Sequence, residues 1–330
     1  MNSKREYSFD ILRVISMCMV IIIHVSNVYS RSFGIISNKS FLFSLIFNTI
    51  SRISVPIFLM ISGALLLERN FNKRKYLNRI KKFIILTIIW DIIYLIWEYF
   101  YLGITYTNYY KLLLGPFRAH LWYLYTILII YIIQPLLKII LEKTNIIIKV
   151  LLFVLWLLFS MLSIKFSFIA SYFTIFCYIG YFIIGNYLYK YLKKNDLKKY
   201  TLPLSILIVI CCGISVLLNY YFSIKYNLFY NLFFAYRIPF IIIATFSFFS
   251  IIVSNYNNKK ISNFIIFLSD LSFGVYLIHG IFLDITVKSF IYGTINSLIG
   301  IPLFFIIILI SSSASVFILR KTKYIKKIVE

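Results

Sequence analysis

The chain of 330 residues is 62% hydrophobic and only 13% charged, with a mean hydropathy of +0.91. Soluble domains sit nearer ~45–50% apolar, so this composition excludes a soluble globular protein and predicts an all-α integral membrane protein, one multi-pass domain over residues 1–330. The formal net charge of +24 invites a nucleic-acid reading, but the placement of the charges along the chain accounts for it without nucleic acid.

A helix needs ~20 apolar residues to cross the hydrocarbon core. Ten segments meet that need in chain order, roughly 10–29, 41–67, 83–102, 119–137, 146–163, 168–189, 202–222, 228–254, 264–287 and 298–319. Lys4 and Arg5 ahead of the first segment resemble the start of a signal peptide. No small-residue cleavage site follows, so the segment reads as a retained first span. With ten spans, one side of the membrane carries 24 of the 34 Lys and Arg and the other only 7. By the positive-inside rule both termini are then cytoplasmic. The four cysteines, Cys18, Cys177, Cys211 and Cys212, lie in apolar runs and show neither a disulfide framework nor metal-ligand spacing.

Ionisable residues within spans carry most of the functional information, since lipid penalises each of them. In the first span Arg13 and His24 are eleven residues apart, three turns and ~16 Å along one helix face. Asp10 shares that side, three residues before Arg13. Such a stripe faces a protein interior or a water-filled cavity. The second span carries Arg52, then Pro56, which kinks a helix by removing an amide donor, and Ser62-Gly63, small enough for close approach of a neighbour or ligand. The third holds Asp91 and Glu98. The fourth opens with His120 and Trp122, the latter readable as part of an interfacial aromatic belt. The eighth contains Arg237 two residues before Pro239. The ninth holds Asp270, His279 and Asp284. Pairing of Arg52 or Arg237 with these acids as structural bridges is open. Taken together, the positions predict a polar chamber on the outer side with a basic approach past Arg13. The three histidines are scattered along the chain and predict no metal site.

Asp10, Arg13 and His24 in "FDILRVISMCMVIIIHVS", the Ser62-Gly63 ending of "VPIFLMISGALL", and the segments "HLWYLYTILIIYIIQPLL", "YIGYFIIGNYL" and "FGVYLIH" resemble the acyltransferase-3 family of bacterial integral-membrane acyltransferases. The likeness is greatest to its surface-polysaccharide O-acetyltransferase branch and extends over nearly the whole chain. The arginine–ten residues–histidine spacing is its most specific part. The resemblance implies a multi-pass protein of the bacterial cytoplasmic membrane. It would transfer an acyl group, usually acetyl, from acetyl-CoA to a hydroxyl of an envelope glycan or its lipid-linked precursor, beside membrane lipid and polysaccharide-synthesis partners. Some members carry an added extracytoplasmic hydrolase-like domain. None is read here, so direct transfer in the membrane domain, or a partner, is expected.

Acyl transfer to an alcohol needs a base for the hydroxyl and stabilisation of the oxyanion. His24 suits the first task, as imidazole titrates near neutrality. Arg13, with Asp10 beside it and Ser62-Gly63 at similar depth, suits the phosphates or thioester of CoA. Arg52, His120, Trp122, Arg237 and His279 are candidates for acceptor binding or the oxyanion. A transporter or flippase for a lipid-linked glycan would use the same chamber without thioester cleavage.

Overall fold

The computed structural model describes residues 5–104, 118–165, 167–195, 197–256, 259–289, 295–322 and 326–329, and gives no side-chain placement for 163–174 and 289. Every regular element among them is helical. Among the described residues eight helical segments are long and apolar enough to cross a membrane: Tyr7–Arg31, Asn38–Leu66, Lys73–Leu102, Ala119–Lys143, Lys198–Tyr226, Leu232–Tyr256, Asn263–Lys288 and Ser297–Leu319. They match eight of the ten expected spans. The other two fall on helices Ile146–Lys165 and Ser167–Lys194, where side chains of 163–174 are not described.

Helix α1 (Tyr7–Arg31) has no Gly or Pro in 25 residues, and its charges sit in its first two turns and its last. Asp10 lies near its N-terminus and Arg31 near its C-terminus, signs that suit the helix dipole. It packs against α2 (Asn38–Ser51), α3 (Ser54–Leu66), α9 (Pro239–Tyr256), α10 (Asn263–Ser289) and α11 (Ser297–Leu319), and so forms the axis of the molecule. Burial confirms the arrangement. The span Asn38–Leu66 is 67% buried inside the protein, whereas Lys198–Tyr226, which contains α8 (Thr201–Tyr226), is 22% buried and presents Val209 and Leu217 outward.

The second span is two helices, not one bent helix. Pro56 cannot donate to the Arg52 carbonyl one turn back, and the chain turns at Arg52-Ile53 before α3 begins. Past the break, α3 lies against α7 (Ser167–Lys194) in backbone contact. A Cβ on Gly63 would stand 1.7 Å from the Phe182 carbonyl oxygen, and one on Gly185 would stand 2.3 Å from Met60 Cα. Only glycine permits that crossing.

Helix α4 (Lys73–Trp97) starts at the Asn72 cap, whose side chain accepts from the Lys75 amide at 2.9 Å. It runs into a π-helical turn, Glu98–Leu102, that ends at Gly103 in the left-handed region, φ +71°. The short 3₁₀ turn Ala119–Leu121 leads into α5 (Trp122–Lys143). Helix α6 is Ile146–Lys165, with Ile146, Ile147 and Leu151 exposed, as suits a lipid-facing position. The eighth span was expected from residue 228, but its α-helix begins at Pro239. Proline favours the first helical position because it lacks an amide donor and has a preset φ. Arg237 therefore stands on the irregular entry to α9, inside the span Leu232–Tyr256 but outside its α-helix.

Two apolar clusters form the core. Phe9 and Leu12 of α1 join α3, α7 and α9 in the first. Met17, Ile21 and Val25 of α1 join α4, α10 and α11 in the second. Both clusters include α5 residues, and the main cavity draws its walls from both.

Candidate active site

A cavity of about 610 Å³ runs along α1. Arg13, Val20, His24, Asn27 and Arg31 all line it. Their spacing of seven, four, three and four residues is that of one helix face. Arg13 and Arg31 are 18 residues apart, so the lined face rises ~27 Å, close to the ~30 Å of a bilayer core.

At one end Arg13 enters with Arg69. Asp10 is 0% exposed and is not part of the wall. Its oxygens accept from Arg5 Nε at 2.7 Å, Arg5 Nη2 at 3.0 Å, Ser269 Oγ at 2.7 Å and Arg13 Nη1 at 3.2 Å. Asp10 thus orients Arg13 from behind, and only one of the guanidinium's five donors is engaged by it. Of the Ser62-Gly63 pair, Ser62 lines the cavity, whereas Gly63 is turned to α7.

In the middle the three histidines meet. The His24 ring centroid lies 5.1 Å from that of His279 and 6.1 Å from that of His120, and the His120 and His279 centroids are 4.9 Å apart. The expectation of scattered histidines is overturned: α1, the turn before α5 and α10 bring residues from three distant parts of the chain together. His24 and His120 line the cavity; His279, 1% exposed, backs them. His279 Nδ1 is 2.6 Å from the Tyr276 carbonyl oxygen. A carbonyl can only accept, so Nδ1 carries the hydrogen and Nε2 is left as an acceptor. That Nε2, and Nε2 of His120, are buried with no hydrogen-bond partner in the protein. Among the described residues no group of three or more His, Cys, Asp or Glu is placed to hold a metal ion.

His120 is fixed from several sides. Tyr276 donates to its carbonyl at 2.7 Å, and the Tyr94 ring meets its ring edge-on at 4.8 Å. Gly280 leaves just enough room, since a Cβ there would come within 2.7 Å of His120 Cε1. Two residues earlier, Arg118 bonds Glu98 at 3.1 Å and also Asp284, to which Trp97 Nε1 donates at 3.1 Å. Glu98 and Asp284 thus pair with Arg118, Asp270 pairs with Arg5, and Asp91 accepts from the Tyr125 hydroxyl, so among the described residues none of the four is paired with Arg52 or Arg237. Arg118→Gln takes the cation from between the buried Glu98 and the partly buried Asp284 and is expected to cost about 3 kcal/mol, read as a lower unfolding temperature in nanodiscs.

Trp122 is not a lipid-interface residue. It lines the cavity and stacks on Tyr178, centroids 5.0 Å apart and planes 29° apart. Beyond it lies the other end. Arg52 donates from Nε to Asn48 Oδ1 at 2.8 Å and stands over the rings of Phe234 at 4.9 Å and Tyr236 at 5.9 Å. Asn48 in turn donates to the Ile23 carbonyl at 3.4 Å, which ties Arg52 to the level of His24. Arg237 does not line the main cavity; it lines an adjoining pocket of about 330 Å³ together with Arg52.

The sequence reading missed Asn27, Arg31, Arg69, Arg118, Tyr123, Asn231 and Tyr236. Asn27 and Arg31 continue the spacing set by Val20 and His24 and were readable from it. Tyr123 likewise shares one face of α5 with Ile127 and Tyr131, which also line the cavity; Arg69, Arg118, Asn231 and Tyr236 stand on connections, where local periodicity carries no information.

Searches of curated proteins and of solved structures gave no match. The family model described as "Acyltransferase domain" matches residues 6–320. It takes in both ends of the cavity and all three histidines, and the chain is accordingly a member of the acyltransferase-3 family of membrane acyltransferases.

Proposed function

We propose that this acyltransferase moves an acetyl group from acetyl-CoA to a hydroxyl of a bacterial envelope glycan or its lipid-linked precursor. The observation that carries this reading is the cavity itself, with three histidines meeting ~16 Å along α1 from Arg13 and at the level of Arg52. The topology proposed with it has ten spans and both termini in the cytoplasm, so the Arg13 end opens to cytoplasmic CoA. Arg13 and Arg69 hold the CoA phosphates there. Ser62, Tyr123 and Tyr131 line the way inward, and the glycan enters from the opposite, Arg52 end.

His24 takes the acceptor's hydroxyl proton as the oxygen attacks the thioester carbon. Arg52, at the same level, steadies the oxyanion by charge. Collapse of the tetrahedral intermediate breaks the carbon–sulfur bond, and His24 returns its proton to the departing thiolate. The products are the ester and free CoA. His279, packed against the rings of His24 and His120, keeps the imidazole cluster oriented, and Trp122 with Tyr178 offers a flat aromatic wall to a sugar ring. A cavity open along α1 would also serve transport of a lipid-linked glycan, and thioester cleavage separates the two readings. The test is release of free thiol from acetyl-CoA by the purified protein in nanodiscs, with and without an envelope glycan fraction of the producing cell. Glycan-dependent release is expected; binding of the glycan fraction without any release would favour transport.

A further inference from the structure

We propose that the Arg52 end of the cavity is a binding site for an anionic group, so that the acceptor is an acidic sugar bearing a phosphate or carboxylate and not a neutral one. This rests on the acceptor entering at that end, as argued above. The adjoining pocket of about 330 Å³ is lined by Arg52, Tyr178, Asn231, Tyr236 and Arg237 among others, and among the described residues no carboxylate contributes to its wall. Arg52, Tyr178, Asn231 and Tyr236 line the main cavity as well, so the two spaces are continuous.

The charge there is uncompensated. Arg5 and Arg13 are matched with Asp10, and Arg118 with Glu98 and Asp284, while half-buried Arg79 stands over the Tyr131 ring. Among the described residues no ion pair joins Arg31, Arg52 or Arg237 to a carboxylate. Arg52 has a structural explanation in Asn48 and the rings of Phe234 and Tyr236. Arg237 has none, as its Nε is buried without any hydrogen-bond partner. A guanidinium donor removed from water and left unbonded is costly, and a planar fork of donors fits the oxygens of phosphate or carboxylate. Beside it, Tyr178 and Tyr236 stand with Trp122, ring centroids 5.0 and 6.0 Å from the indole. That aromatic surface suits the C–H face of a pyranose whose anionic substituent reaches Arg237.

The experiment is equilibrium binding of glucose 1-phosphate, glucuronate and glucose to the protein in nanodiscs, read by tryptophan fluorescence with CoA present in excess to fill the Arg13 end. The expected result is a Kd for at least one anionic sugar tenfold or more below that for glucose. Arg237→Gln should erase this preference, and Arg237→Lys should keep part of it. A preference for glucose 1-phosphate assigns a phosphate, and one for glucuronate a carboxylate. Equal binding of glucose, no binding of either anionic sugar, or a preference unchanged in Arg237→Gln would overturn the proposal. Anionic-sugar binding in a protein that never releases thiol would leave this site standing and overturn the acyl-transfer reading instead.

Discussion

His24→Ala is expected to lower the acyl-transfer rate by ~10²–10⁴-fold, the usual contribution of a positioned general base, while acetyl-CoA binding changes by less than about threefold. The asymmetry follows from position. His24 is eleven residues, ~16 Å, from Arg13 along α1, too far to touch phosphates bound at Arg13 under the proposed mechanism. It is in the cavity wall with His120, whereas His279 stands behind them. His120 is the less mobile candidate, pinned at its carbonyl by Tyr276 and crowded at its ring by Gly280 and Tyr94. Single-turnover release of thiol from pre-bound acetyl-CoA separates chemistry from binding. A His24→Ala protein that turns over within a fewfold of wild type would remove His24 from the base role, and a large loss in His120→Ala alone would transfer that role to His120.

Gly63→Ala is expected to destabilise the protein by about 3 kcal/mol, the upper part of the usual range for overpacking. The added methyl would meet the Phe182 carbonyl oxygen at 1.7 Å, and a backbone atom in a helix cannot rotate aside as a side chain can. Relief requires α3 and α7 to separate, which also displaces Ser62 from the cavity wall. The control is Gly213→Ala on α8, where an added Cβ meets nothing within 4 Å. There alanine gains helix propensity, up to ~1 kcal/mol. Thermal unfolding in nanodiscs should rank the two variants on opposite sides of wild type. Equal unfolding temperatures would mean that the α3–α7 crossing is not as close as described.

What the sequence could and could not disclose divides along a physical line. Features set by one helix were legible. The face shared by Asp10, Arg13 and His24 needs only the 3.6-residue period, and the structure places Arg13 and His24 on one cavity wall with Asp10 behind. The discontinuity in the second span was marked by Pro56, though the lost hydrogen bond appears one turn earlier, at Arg52. The start of α9 was marked by Pro239 and read too early, because residues 228–238 are apolar without being α-helical throughout; Leu232–Phe234 form only a 3₁₀ turn. Features made between helices were not legible. The meeting of His24, His120 and His279 depends on how α1, α5 and α10 cross, and no spacing along the chain encodes that. The pairing of Glu98 and Asp284 with Arg118 was hidden for a related reason. Arg118 belongs to a connection, and its partners come from α4's final π turn and from α10. Gly63 was recognised as a site of close approach, but which neighbour approaches is a property of α7.

In the proposed mechanism one continuous cavity joins a CoA end to a glycan end on opposite sides of the membrane. This is tested most directly by enclosing radiolabelled acetyl-CoA inside proteoliposomes and adding the envelope glycan fraction only outside. The account predicts labelled glycan outside, absent with His24→Ala, while the vesicles retain their CoA. Label that passes to glycan only when both substrates share one compartment would contradict it.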